Sequence, residues 1–255
     1  MTNFVKTYEA DGVLTLTISR PEKKNALTGA MYTALSDGLE RAEREGAVKV
    51  VVLQGDGDSF TAGNDIDEFR AQAAAPPSEE SPAFRFTEVI SRTAKPLVAA
   101  VQGNAVGVGA TMLLHCDLVY LAENARLITP FVNLALVPEA ASSWLLPARI
   151  GYVQAYAMFA LGEPLDAHSA VARGLANAVV PIGELRLRAA AAAATLAKRP
   201  AGALRQTKAL MRERARMASQ MEEEARLFQE RLVTAEAREA FAAFAERRSP
   251  DFSKL

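Results

Sequence analysis

The chain has 255 residues, half of them hydrophobic and 23% charged, with a formal net charge of −1. That length suits one α/β domain with a helical appendage, and the near-neutral charge gives no electrostatic reason to expect nucleic acid or an anionic membrane as a general partner. A single cysteine, Cys116, excludes an intrachain disulfide framework, and no apolar run reaches membrane-spanning length.

The N-terminal stretch MTNFVKTYEADG has no apolar signal-peptide core, so a cytosolic protein is the default expectation. Val13 to Ser19 alternates apolar and polar residues and predicts a half-buried strand. A polar loop, Arg20 to Leu27, leads to Thr28, a good N-cap for a helix reaching about Glu45 and stopped by Gly46. Val48 to Leu53 is dense in β-branched residues and predicts a strand buried on both faces. After the turn Gly55 to Asp58 comes Ser59-Phe60-Thr61-Ala62-Gly63-Asn64-Asp65-Ile66, a small-residue turn into a helix over about Asp65 to Ala74. Ala75 to Pro82 reads as a mobile polar loop and Ala83 to Thr93 as a helix.

The organising stretch runs from Lys95 to Trp144. Pro96 to Val101 has strand character and ends in the turn signal Gln102-Gly103. Gly107 and Gly109 precede the apolar stretch Ala110 to Cys116, which reads as a buried helix with Cys116 as an inert thiol. A strand, a glycine turn and a helix N-terminus leave backbone N–H groups free to receive negative charge. A dinucleotide phosphate fits poorly, because Met112 stands where the fingerprint requires its third glycine and the turn lies mid-chain. The other candidate is a transient oxyanion, which requires a second donor, and the turn at Asn64 offers one. Taken alone, this stretch is better explained by Gly63 merely permitting the turn and Asp65 merely capping the helix.

Beyond Trp144 the pattern predicts helices over Trp144 to Ile150, Tyr152 to Leu161 and Ala167 to Arg173, with Gly174 as stop and a short strand at Ala178 to Pro181. From Gly183 onward the signals are helical, split at Arg199-Pro200, with RERAR and EEEAR read as solvated faces. His115, on the core helix, reads as a hydrogen-bonded core histidine, His168 sits at a helix start, and neither has metal-ligand spacing. The ending Ser253-Lys254-Leu255 spells a peroxisomal address, read in a eukaryotic cell and inert in a bacterial one, where the protein is expected in the cytoplasm.

Several motifs in order, RPEKKNAL, SFTAGNDIDEF, KPLVAAVQGNAVGVGATMLLHCDLVYLAENARLITPF and AFAERRSPDF, make the chain resemble the crotonase superfamily of enoyl-CoA hydratases and isomerases. The resemblance implies an α/β spiral of repeated ββα units, here residues 1–195, and a helical C-terminal region, residues 196–255, that builds trimers or dimers of trimers. It implies an acyl-CoA thioester substrate, with coenzyme A part of that substrate and neither a metal nor a separate cofactor. The thioester oxygen is then expected between the backbone N–H groups of Asn64 and Val108, with Gly107 and Gly109 on either side of the latter. Lys23, Asn25, Ala26 and Leu27, together with Ala62, Gly63, Asp65 and Ile66, are expected along the coenzyme. Phe244 and Arg247 fit either a contact to coenzyme from a neighbouring subunit or plain packing and surface charge.

Hydratases of this family usually carry two glutamates, and at those places this chain has Thr111 and Phe131, both counted with the substrate-binding residues. Pro138-Glu139-Ala140 instead resembles the segment bearing the single catalytic glutamate of monofunctional peroxisomal-type 3,2-enoyl-CoA isomerases, with alanine where that subgroup has glycine. The expectation is a 3,2-enoyl-CoA isomerase with Glu139 as proton shuttle, its pKa raised by apolar neighbours. The competing readings are a hydratase or another reaction of the same superfamily, a catalytically silent acyl-CoA-binding protein, and Glu139 as a plain helix-start carboxylate.

Overall fold

The structure, a computed structural model, describes residues 3–68 and 81–254. Most of the helix expected over 65–74, most of the polar loop after it and Leu255 lie outside the described residues; of that helix, residues 66–68 are described and helical, and Pro82, read as the end of the loop, opens the next helix. Among the described residues no helix is long and apolar enough to cross a membrane.

The main sheet has six strands in the order β1-β2-β3-β4-β6-β9. β1 (Val5–Ala10) and β2 (Val13–Ile18) form an antiparallel hairpin, and β2, β3 (Val50–Gly55), β4 (Leu97–Val101), β6 (Leu118–Ala122) and β9 (Ala178–Val180) pair in parallel. Sequence reading assigns no element to β1. It is an edge strand with four consecutive exposed residues, so no buried face imposes an alternating pattern. The signal that finds it is Asp11-Gly12, whose φ values of 51° and 77° provide the two left-handed positions of a tight hairpin.

One face of the sheet carries Leu14, Leu16, Val51, Leu53, Leu97 and Ala99 into the main core, against Met31, Leu35 and Leu39 of the helix Gly29–Arg44 and Phe86 and Ile90 of the helix Pro82–Arg92. Thr28 caps the first of these helices as expected, its side chain accepting from the Met31 N–H. The opposite face, with Val50, Val52, Val98 and Ala100, is covered by Leu185, Ala189, Ala192 and Ala193 of the helix Leu185–Ala197. Both faces of β3 are therefore dry, as its unbroken β-branched run predicts.

A second layer runs alongside. β5 (Asn104–Val106) pairs in parallel with β7 (Arg126–Ile128), and β7 pairs antiparallel with β8 (Leu165–Asp166). Single parallel bridges, Thr61 to Ala105 and Leu27 to Asn64, extend this ladder by two more rungs. The chain therefore alternates between a strand of the main sheet and a rung of the second layer before each helix, and successive turns stack. The expected turns at Asn64 and Val108 lie at the ends of adjacent rungs.

The helix read over Ala110 to Cys116 is a short α-turn, Val108–Thr111, tightening into a 3₁₀ turn, Met112–His115. Cys116 is buried there with its thiol pushed up to about 12, chiefly by desolvation, as fits an inert core group. In the C-terminal region Phe228, Leu232, Ala237 and Phe241 join the main core of the same chain. The solvated reading of its charge runs needs correcting. Glu224, within EEEAR, is buried, and Arg212, within RERAR, donates from its guanidinium to the carbonyl of His115.

Candidate active site

A cavity of about 390 Å³ lies where the second layer meets the helices Gly29–Arg44, Pro82–Arg92 and the C-terminal pair Arg214–Leu232 and Ala235–Glu246. Of the residues expected from the sequence, Leu27, Ala62, Gly63, Asn64, Asp65 and Ile66 line it from one rung, and Gly107, Val108, Phe131 and Glu139 from others. Phe244 contributes to the rim.

The two turns are brought together by backbone, and glycine makes the approach possible. Gly63 has φ +85°, and a Cβ there would stand 2.9 Å from the carbonyl oxygen of Val106. Gly107 has φ +55° and open space where a Cβ would point, so its need for glycine is conformational. In the bridge at Leu27, the N–H of Leu27 donates to the Gly63 carbonyl and its carbonyl accepts from the Asp65 N–H. A parallel bridge of that kind turns the N–H of the middle residue, Asn64, away from Leu27. Among the described residues neither the Asn64 nor the Val108 N–H donates to another group, and Val108 opens a helical turn, where such N–H groups are free.

Glu139 is the one buried carboxylate on the cavity wall among the described residues, at 8% exposure. Its Oε1 accepts a 2.5 Å hydrogen bond from the Thr111 hydroxyl. Burial pushes its pKa up to about 7; the Thr111 hydrogen bond opposes this and the nearby Glu224 carboxylate adds to it. The raised value expected from its apolar sequence neighbours is thus found, with a polar partner that sequence adjacency does not reveal. Replacing Thr111 by valine removes the group that favours the ionised form, so the rise of kcat/KM with pH is expected to shift to higher pH. A pH–rate profile with an unmoved inflection would show that this hydroxyl does not control the base.

The remaining expected residues lie elsewhere. Asn25 is fully buried, its side chain donating to the carbonyls of Asp56 and Ser59 and accepting from the Arg20 N–H, so it shapes the loop from within. Lys23 is exposed and Ala26 half-buried, outside the cavity wall. Gly109 packs against Thr61 behind the turn, and Thr111 meets Glu139 from the core side. Asp65 receives the Arg20 guanidinium at 2.6 Å and the N–H groups of Asp67 and Glu68, which makes it a helix cap as well as part of the wall. His115 is buried, with Nε2 at 2.9 Å from the Ala140 carbonyl, as expected of a core histidine, while His168 lies exposed on the short helix Ala167–Ala172. Arg247 ends the last helix in a left-handed conformation.

Sequence reasoning missed Tyr32. Its ring packs tilted against Phe86, and its hydroxyl reaches the cavity and donates to the side-chain oxygen of Asn64. Burial, reinforced by the charge of Glu139, holds this phenol well above its ordinary range, so it remains a neutral donor. On an amphipathic helix a tyrosine at an apolar position reads as packing, and nothing in the spacing marks its hydroxyl.

The family model described as enoyl-CoA hydratase/isomerase matches residues 8–254. A crystal structure of an enoyl-CoA hydratase/isomerase from Pseudoalteromonas atlantica T6c superposes with a TM-score of 0.93 at 40% identity, covering 98% of this chain and 100% of that one. Two curated relatives are each 32% identical. One is enoyl-CoA delta isomerase 2 of Rattus norvegicus, over 93% of this chain but 62% of that protein's length. The other is 2,3-dehydroadipyl-CoA hydratase of Escherichia coli (strain K12), over 94% of both chains. Equal similarity to an isomerase and a hydratase leaves the choice of reaction to the site.

Proposed function

Because the chain belongs to the enoyl-CoA hydratase/isomerase family, we propose that it is a 3,2-enoyl-CoA isomerase, moving the double bond of an acyl-CoA thioester from the 3 to the 2 position. The observation that carries this reading is a lone buried carboxylate, Glu139, on the same cavity wall as Asn64 and Val108, with the hydroxyl of Thr111 beside it rather than a second acid. The other carboxylates on that wall are engaged, Asp65 with Arg20 and Glu68 with the Gly29 N–H.

Glu139 takes a proton from the α-carbon, and the C–H electron pair delocalises through the thioester onto its oxygen as a dienolate. The charge develops where the Asn64 and Val108 N–H groups are free to donate. The same carboxyl then returns the proton to the γ-carbon, the 2,3 double bond forms and the thioester carbonyl is restored. A pKa near 7 suits a group that must accept and then release a proton at neutral pH. No metal or separate cofactor enters this chemistry. Leu27, Ala62 and Ile66 border the coenzyme in this reading, and Asn25 acts through the shape of the loop bearing Lys23 and Ala26. Exposed Tyr152, Val153, Tyr156 and Leu161, along one helical run, fit a contact with another copy in the proposed trimer or dimer of trimers.

The test is to supply trans-3-hexenoyl-CoA and trans-2-hexenoyl-CoA separately and follow absorbance of the conjugated thioester. Its appearance from the first substrate, with the second relaxing only to the same isomer mixture and taking up no water, is the expected result. Consumption of the second by water would establish a hydratase, and no change with either, despite binding of both, a silent binding protein.

A further inference from the structure

We infer that Glu224, on the C-terminal helix Arg214–Leu232, is a positioning residue that aims Glu139 by holding the turn at residues 140–143. The inference rests on the reading of Glu139 as the proton shuttle. The backbone after Glu139 takes an unfavourable path, with Ala140 at φ 60° and Ala141 at φ 56°. Two successive non-glycine residues in the left-handed region persist only where their surroundings over-determine them. Glycine is what a relaxed chain would place here, and this chain has alanine, so the restraint must come from other side chains.

Two such restraints are present, from opposite sides. His115, on the core 3₁₀ turn, sits with Nε2 at 2.9 Å from the Ala140 carbonyl. Its pKa is lowered to about 3, chiefly by burial, so the ring is neutral and Nε2–H donates to that carbonyl. Glu224 accepts from the Ala141 N–H at 2.6 Å and from the Ser143 N–H at 2.9 Å. The Ser143 hydroxyl donates to the same carboxylate and accepts from the Gln220 side chain at 2.9 Å. Ala141 occupies the N-cap position of the helix Ser142–Ile150 and has no side chain to cap it; Glu224 supplies the missing cap from 83 residues further along the chain.

A neutral cap would satisfy the same N–H groups without burying a carboxylate at 4% exposure, a costly step that raises the Glu224 pKa, while the donors at Ser143 and Ala141 favour its ionised form. What the carboxylate adds is a second negative charge near Glu139, which favours the protonated form of Glu139. The groups that face Glu139 are the Thr111 hydroxyl, the Tyr32 phenol and the Glu224 carboxylate; those that face Glu224 are Ser143, the two amides and Glu139. Glu224 is not on the cavity wall, so its influence reaches substrate through the turn it holds and through its charge near Glu139.

The experiment compares full-length wild type, Glu224→Gln, Glu224→Ala and Glu139→Gln in two assays: isomerisation of trans-3-hexenoyl-CoA, and exchange of the α-protons of butyryl-CoA in D₂O. The exchange needs only a base and an oxyanion site and does not depend on the isomerase assignment. Glu224→Gln keeps the shape but loses one acceptor and the charge. It is expected to lower kcat and the exchange rate by about 10- to 100-fold, the scale of a misplaced reacting group. The dissociation constant for butyryl-CoA should stay within about threefold, because no wall residue changes. The acid limb of its exchange profile should move to lower pH, since removing the neighbouring charge lowers the pKa of Glu139; a purely structural cap would not move it. If Glu224→Ala fails to fold, Glu224→Gln still decides the matter. Glu224→Gln with wild-type rates and an unmoved acid limb, alongside an inactive Glu139→Gln, overturns this inference alone. Glu139→Gln at the wild-type exchange rate overturns it together with the proposed function.

Discussion

Replacing Glu139 by glutamine is expected to remove nearly all isomerase activity and at the same time stabilise the folded protein above pH 7. The first effect follows from losing, among the described residues, the one buried carboxylate on the cavity wall, and general acid–base groups contribute on the order of 10² to 10⁴ in rate. The second follows from linkage. Unfolded, the Glu139 carboxyl ionises near 4.5; folded, burial raises it to about 7. The native state therefore binds this proton more tightly than the unfolded chain. The stability so contributed is fully present below about pH 4.5 and is lost as pH rises through about 7. The span corresponds to roughly 3 kcal/mol. Glutamine cannot ionise and does not suffer that loss, and its carbonyl oxygen can still accept from the Thr111 hydroxyl. Denaturant unfolding at pH 5, 6, 7 and 8.5 should show the variant gaining on wild type across this window, with a constant advantage above it. Equal stability at pH 8.5 would mean that Glu139 is not the desolvated acid described above. An inactive variant with no gain would separate a catalytic role from a raised pKa.

Both halves of that prediction concern Glu139, which the residues alone leave as a helix-start carboxylate with apolar neighbours. The resemblance of Pro138-Glu139-Ala140 to the isomerase segment is what singles it out, whereas the glycine turns at Gly63 and Gly107 are marked by residue type. The alternation in Val13–Ile18 and the β-branched run in Val50–Gly55 are similarly local signals. What escaped depends on contacts between distant segments. The three-residue strands Asn104–Val106 and Arg126–Ile128 are too short for any periodicity, yet they form the ladder that places Asn64 beside Val108. Tyr32 and Thr111 look like packing residues until the fold turns their hydroxyls toward Asn64 and Glu139. Glu224 was hidden in a run of three glutamates. Its spacing from Met217, Phe228 and Leu232 puts it on the buried stripe of its helix, and that periodicity is the signal that could have found it. The alanine at position 140 suggested a backbone slightly different from that of glycine-bearing relatives; in this chain Ala140 and Ala141 take left-handed φ, with polar restraints on both sides.

Gly63→Ala is expected to lower kcat by 100-fold or more in an enzyme that still folds and still binds acyl-CoA. The new methyl group must adopt φ +85° and would stand 2.9 Å from the Val106 carbonyl oxygen, a backbone atom of β5 that cannot rotate away. Relief comes only by separating the rung at residues 61–64 from the rung at 104–106, which draws the Asn64 N–H away from the one at Val108. The two donors then no longer converge on a single oxygen, and loss of one such donor costs roughly 3 kcal/mol of barrier, or 10² to 10³ in rate. Because the charge appears only as the α-proton leaves, the loss should fall on kcat, with KM changing far less. Backbone strain, of order 1–3 kcal/mol, should lower the melting temperature as well. Gly46→Ala is the control, since that glycine is exposed, has no positive φ and meets nothing within 4 Å. A Gly63→Ala protein with wild-type kcat would show that the Asn64 amide is not a donor in the reaction.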